Sequence, residues 1–166
     1  MSERLRILKS DIQVELAAIE HIFEALPTGA VDLGDIKEAI VVGYYLHNLY
    51  NAFESIFRLV AEVFENHVPD AAQWHSLLLE RMGRDIADIR PRLLSEGAVD
   101  SLDELRRFRH LFRHMYRYDL KPPGVQQALQ QAHHLRSVYR ADVERFIGFL
   151  DLLQKENVDD ALSNLE

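Results

Sequence analysis

The sequence predicts an all-α protein, an up-and-down bundle of four to five helices, and three observations carry that prediction. Apolar residues recur at spacings of three and four along several long stretches, no stretch alternates apolar and polar as a half-buried strand does, and Pro/Gly breaks join the periodic runs through short loops. The chain has 166 residues, 48% hydrophobic and 28% charged, which suits one folded domain and not a disordered segment.

In the first helix, Leu5, Leu8, Ile12, Leu16, Ile19, Ile22, Phe23 and Leu26 form one stripe, with Lys9, Asp11, Gln13, Glu20 and Glu24 opposite. Pro27, Thr28 and Gly29 end it. Asp35 and Glu38, three apart, have capping-box form and open a second helix expected to run to about His67, before Pro69. Val41, Leu46, Leu49, Phe53, Ile56, Phe57, Val60, Val63 and Phe64 make it apolar on most sides, as a central buried helix would be. Residues 71–94 read as a shorter helical segment broken or kinked at Gly83 and Pro91, and Trp74 and His75 within it are assigned to packing. Ser101 and Glu104 form a second capping box, from which a fourth helix should run until it stops before Pro122, Pro123 and Gly124. A last long helix buries Val125, Leu129, Ala132, Leu135, Val138, Tyr139, Phe146, Phe149, Leu150 and Leu153. The domain is thus expected over residues 1–154, with residues 155–166 a frayed acidic tail.

Composition narrows the function. The absence of cysteine removes disulfides, thiolate chemistry and cysteine-ligated metals, and it fits a reducing compartment. The first residues carry charges every few positions instead of an apolar signal region, and the most apolar run, residues 39–50, is too short and too polar at His47 and Asn48 to span a bilayer. A cytoplasmic location with no membrane partner is expected. A net charge of −8 opposes contact with a polyanion over the whole surface, so any nucleic-acid contact must be local.

Residues 106–117 are the local candidate, with five arginines, two histidines and no carboxylate. At roughly 100° per residue, Leu105, Phe108, Leu111, Phe112 and Met115 share a core-facing arc. Arg106, Arg107, His110, Arg113, His114 and Arg117 share a basic arc with Arg109 at its margin and Tyr116 just beyond it. A solvated face would mix signs, because acids at i±4 relieve repulsion, and the helix is expected to hold no such relief. The face therefore suits phosphates, or carboxylates from elsewhere. On the second helix, His47, Asn51, Glu54 and Arg58 form a polar stripe that is either a solvent edge or one wall of a cleft, with Glu54 pairing an arginine of the basic helix.

Arg109, His114 and Tyr116 spell R-x-x-x-x-H-x-Y, and by chance such a pattern would occur about 0.03 times in a chain of this composition. The motif resembles that of the HEPN superfamily, more closely the HepT-like toxins of HepT–MntA toxin–antitoxin systems, where it lies in the N-terminal half of a helix within an all-helical bundle. The resemblance implies a homodimer whose motif helices meet across a shared cleft, and a metal-independent endoribonuclease acting on tRNA or mRNA, without a cofactor, in a type VII-like system. It also implies a cognate MntA-like nucleotidyltransferase antitoxin that attaches AMP to Tyr116, filling the cleft with bulk and negative charge.

The residue types suit that chemistry. Attack of a ribose 2′-hydroxyl on the adjacent phosphate needs an acid/base group, His114, and a cation for the developing charge, Arg109. Clustered arginines should favour the neutral imidazole. His110, Arg113, Arg106, Arg117 and Arg107 would support RNA binding, and His47, Asn51 and Glu54 would line the cleft. His110 stands where many members carry Asn or Asp, and Arg107 with His114 also fits the looser Arg-x6-His spacing of the superfamily. His110 and His114 could together face a metal ion, but no third ligand lies near in sequence, Arg113 would repel a dication, and no metal site is expected. Two other readings stay open: a non-catalytic HEPN-like helical dimer that binds a nucleotidyltransferase or RNA, and a structural bundle whose basic face meets an acidic partner.

Overall fold

The computed structural model describes residues 2–65, 74–115 and 119–163. They form α1 (Ser2–Ala25), α2 (Ile36–Phe64), α3 (Trp74–Met82), α4 (Glu96–Arg113) and α5 (Pro122–Ser163), with no strand among the described residues beyond an isolated bridge between Ile86 and Arg90. None of the helices is long and apolar enough to cross a membrane.

Cross-helix pairs fix the directions. Lys9 meets Asp151, Glu20 meets Arg140 and the Phe23 carbonyl meets Arg136, so α1 and α5 run antiparallel. Asp142 meets Ser95, Gln131 meets Ser101 and Gln127 meets Glu104, so α4 and α5 do too. The four long helices alternate up and down, and α2 contacts all the others. Its inner surface supplies Leu46, Leu49, Tyr50, Phe53, Ile56, Phe57 and Val60 to the core, where Tyr139 stacks on Phe23 and meets Phe53 edge-on. Periodicity located this core well: Leu5, Leu8, Ile12, Ile19, Phe23 and Leu26 are buried on α1, and Val125, Leu129, Ala132, Leu135, Tyr139, Phe146 and Leu150 on α5.

Several expectations are corrected. α2 begins as anticipated, Asp35 accepting from the Lys37 backbone N–H at 2.9 Å, but its first turns leave Ile36, Ile40, Val41 and Tyr44 exposed because the packed helices cover its other faces. Among the described residues the third helix spans Trp74–Met82, residues 71–73 of the expected segment lying outside them; beyond Met82 the chain makes a tight turn with Asp88 at φ 60°. That turn is fastened by Arg90, whose buried guanidinium bonds Glu65 at the end of α2 and the Arg81 carbonyl, while Arg81 takes the other Glu65 oxygen. α4 starts at Glu96, not after Ser101: the Ser95 N–H and hydroxyl both donate to buried Asp142, at 2.8 and 2.7 Å, and this fixes the helix start from across the bundle. Ser101 is a buried mid-helix residue bonded to Gln131. α5 continues through Lys155 to Ser163, the stretch read as a tail.

Candidate functional site on helices α2 and α4

α4 ends at Arg113, and His114 is its C-cap at φ −109° and ψ 18°. The motif therefore sits at the C-terminal end of its helix, not in the N-terminal half. The helical phase that grouped His114 and Met115 with the earlier turns does not extend to them. Tyr116 and Arg117 lie outside the described residues. Leu105 and Phe108 are buried as expected and Phe112 is partly buried, but Leu111 is 55% exposed, lining a cavity of about 400 Å³ between the end of α4 and the start of α5.

The arginines divide by partner. Arg106 bonds Asp103, and Arg107, 62% exposed, bonds both Asp103 and Glu104. The expected lack of relief is thus corrected: the acids one turn earlier, just outside the basic run, neutralise its first two arginines. Arg109 reaches across instead. Its Nε donates to Asn51 Oδ1 at 2.6 Å, and its guanidinium carbon lies 5.7 Å from the centre of the buried Tyr50 ring.

This contact sets a direction of donation. A guanidinium only donates, so Asn51 Oδ1 is the acceptor and Asn51 Nδ2 is left to donate to His47 Nε2, 3.0 Å away. His47 must then be the neutral tautomer with its proton on Nδ1, a buried atom without a hydrogen-bond partner among the described residues. Burial, then the charges of Arg109 and Arg113, hold the His47 pKa below its ordinary value, in agreement with that tautomer. The arginines of the basic helix thus act on His47. Its ring packs on Phe112, centroids 5.7 Å apart, at a close approach that Gly43 makes possible: a Cβ there would lie 2.5 Å from the Phe112 ring.

The polar stripe of α2 is therefore a wall facing α4 at His47 and Asn51. One turn on, Glu54 departs from expectation, because it pairs with no arginine of α4. It is 4% exposed and bonds Arg58 at 3.1 Å and His75 Nδ1, on α3, at 2.5 Å. The buried Tyr50 hydroxyl has no hydrogen-bond partner among the described residues. Burial and the Glu54 charge push its pKa up, against an opposing pull from Arg106 and Arg109. His75, read from sequence as packing, is thus a partner of the stripe. No local pattern could have found it, since Glu54 and His75 are 21 residues apart and meet only through the fold.

At the motif histidine, His114 Nδ1 lies 2.7 Å from the His110 carbonyl oxygen, which can only accept, so Nδ1 carries the proton and Nε2 is the basic atom of the neutral ring. The His110 and His114 rings are 4.6 Å apart. His110 and Arg113 are exposed.

A basic helix end docked on the polar stripe of a central helix, inside an up-and-down arrangement, places the chain in the class of all-α helical bundles. A family model for HepT-like proteins matches residues 41–150, from α2 into α5 and well over half of the sequence. The chain belongs to the HepT-like family of the HEPN superfamily. Comparison with curated proteins and with solved structures finds no match.

Proposed function

We propose that the protein is the toxin of a HepT–MntA type toxin–antitoxin pair and a metal-independent endoribonuclease. The observation that carries this reading is the seating of Arg109. Its Nε is bonded to Asn51 and its side chain lies against Tyr50, so the guanidinium is oriented before a substrate arrives, and among the described residues its terminal nitrogens are held by no carboxylate and could meet a phosphate. His114 supplies acid/base chemistry through Nε2, Arg113 adds positive charge along the approach and His110 a hydrogen-bonding ring, while Arg106 and Arg107 stay paired with Asp103 and Glu104 at its margin. Arg109 is favoured over Arg107 as the motif arginine because Arg107 is turned to solvent and occupied by Asp103 and Glu104. RNA is the substrate class, tRNA or mRNA by family analogy.

The reading includes a homodimer. Ile36, Ile40, Val41 and Tyr44 form an exposed apolar surface on the same helix that carries the stripe, and its burial against a second copy would bring two basic ends together. Regulation is assigned to Tyr116, modified with AMP by a nucleotidyltransferase partner. Incubation of the purified protein with total RNA in EDTA should yield cleavage that Arg109→Ala and His114→Ala abolish. Cleavage that survives both substitutions sinks the assignment, and none by any form favours the non-catalytic binding module. Co-expression with a neighbouring nucleotidyltransferase should add AMP-sized mass that Tyr116→Phe prevents; an unchanged mass counts against the regulatory arm.

A further inference from the structure

We infer that His75, oriented by Glu54, is a second acid/base residue of the site and accepts the proton of the attacking 2′-hydroxyl. This rests on the ribonuclease reading and deepens it. Glu54 is almost fully buried, and its two oxygens are both used, one by Arg58 and one by His75 Nδ1. A carboxylate that accepts from Nδ1 keeps a proton on that atom and makes Nε2 the basic nitrogen of the ring. The His75 side chain is 28% exposed, and its Nε2 makes no hydrogen bond among the described residues. Arg58, packed 4.4 Å over the Trp74 ring, holds the carboxylate from the other side, and Trp74 stacks on His75. The imidazole is thus held by contacts on its edge and its face, an arrangement a surface histidine does not need.

Position connects this dyad to Arg109. Asn51, which seats Arg109, and Glu54, which seats His75, are three apart on α2, and such residues have Cβ atoms about 5–6 Å apart on one face. The Tyr50 hydroxyl, influenced by Glu54 on one side and by Arg106 and Arg109 on the other, lies beneath the same span. In the proposed complex, a phosphate on Arg109 and the ribose hydroxyl beside it span that interval.

Two histidines also complete the proton balance. His75 Nε2 takes the proton of the 2′-hydroxyl as the 2′-oxygen bonds to phosphorus, with Arg109 offsetting the charge that builds on the phosphoryl oxygens. The bond from phosphorus to the 5′-oxygen breaks, and that oxygen leaves with a proton from the protonated form of His114. The products are a 2′,3′-cyclic phosphate and a 5′-hydroxyl, and exchange with water restores both histidines.

The test compares wild type, Arg109→Ala, His114→Ala, His75→Ala, His75→Gln and Glu54→Gln on one oligoribonucleotide in EDTA, carrying either oxygen or sulfur at the scissile 5′ position. Sulfur leaves without a proton, so the sulfur substrate should restore most of the activity of His114→Ala. Both His75 variants should stay at least about a hundred-fold below wild type on either substrate. Glu54→Gln, which weakens orientation alone, should lose less than His75→Ala. Thermal melting of each variant separates unfolding from lost chemistry. In addition, acylation of His75 by diethyl pyrocarbonate should slow when a 2′-deoxy analogue of the substrate is bound. If both His75 variants melt like wild type and cleave like it while Arg109→Ala does not, the His75 assignment is overturned and the ribonuclease reading stands. Rescue of His75→Ala by sulfur, or acylation indifferent to the analogue, also overturns it. Absence of cleavage by wild type on either substrate overturns both.

Discussion

Asn51 decides the electrostatics of the site because its amide has one orientation that satisfies both neighbours. Arg109 can only donate to it, so the amide nitrogen faces His47, and protonating His47 would set N–H against N–H. Replacing Asn51 with Asp keeps the acceptor for Arg109, removes the donor to His47 and adds a negative charge. The His47 imidazole, followed by its ring-proton shifts in NMR, should then titrate at higher pH than in the wild type; an unchanged midpoint would contradict the direction of donation. Linkage gives a second expectation. The folded-state pKa of His47 lies below its ordinary value of 6.5, so the unfolded chain binds this proton more readily. The His47 contribution to stability is full above that value and is lost as pH falls through the lower folded-state pKa. Urea midpoints measured from neutral pH downward should therefore fall, and less steeply in His47→Leu. The motif itself was legible because Arg109 and His114 are neighbours in sequence. His47 and Asn51 were legible as a stripe, but which residues the stripe faced required the register of α2 against α4.

Helix existence followed from periodicity, whereas helix ends depended on groups far away in sequence. The Ser101 box has the right residues, but Asp142 on α5 holds Ser95, and the helix starts where that bond forms. The same limit applies to the turn after α3, whose anchor joins Arg90 to Glu65, 25 residues earlier. Glu65→Ala would leave the buried Arg90 guanidinium without its carboxylate and should cost about 3–5 kcal/mol in urea denaturation; a loss comparable to that of an exposed pair would contradict the anchor. Gly43 marks the closest approach of α2 and α4. Gly43→Ala forces the Phe112 ring aside, with an expected loss of about 1–3 kcal/mol and shifted His47 ring resonances. Val41 and Leu111 show how hydrophobic pattern misleads at a bundle's margin: both fit an apolar face, yet both are about half exposed because none of the described helices covers them.

At the scale of the molecule, a chain of net charge −8 places five of its fifteen arginines within residues 106–117, and the acids at Asp103 and Glu104 neutralise only the arginines nearest them. Among the described residues that leaves Arg109, bonded to Asn51 on the central helix, and the exposed Arg113 as the positive side of the site. The exposed Ile36, Ile40, Val41 and Tyr44 belong to the proposed assembly. Sedimentation equilibrium should give twice the chain mass, with Tyr44→Glu together with Ile40→Glu shifting it toward the monomer; a monomeric wild type would contradict the dimer. The central claim is phosphodiester cleavage by oriented side chains without a metal, and the end groups left on a defined RNA in EDTA test it most directly. The account predicts a 2′,3′-cyclic phosphate and a 5′-hydroxyl from the wild type and intact RNA from Arg109→Ala. Ends of 5′-phosphate and 3′-hydroxyl, or the same products from Arg109→Ala, would contradict it.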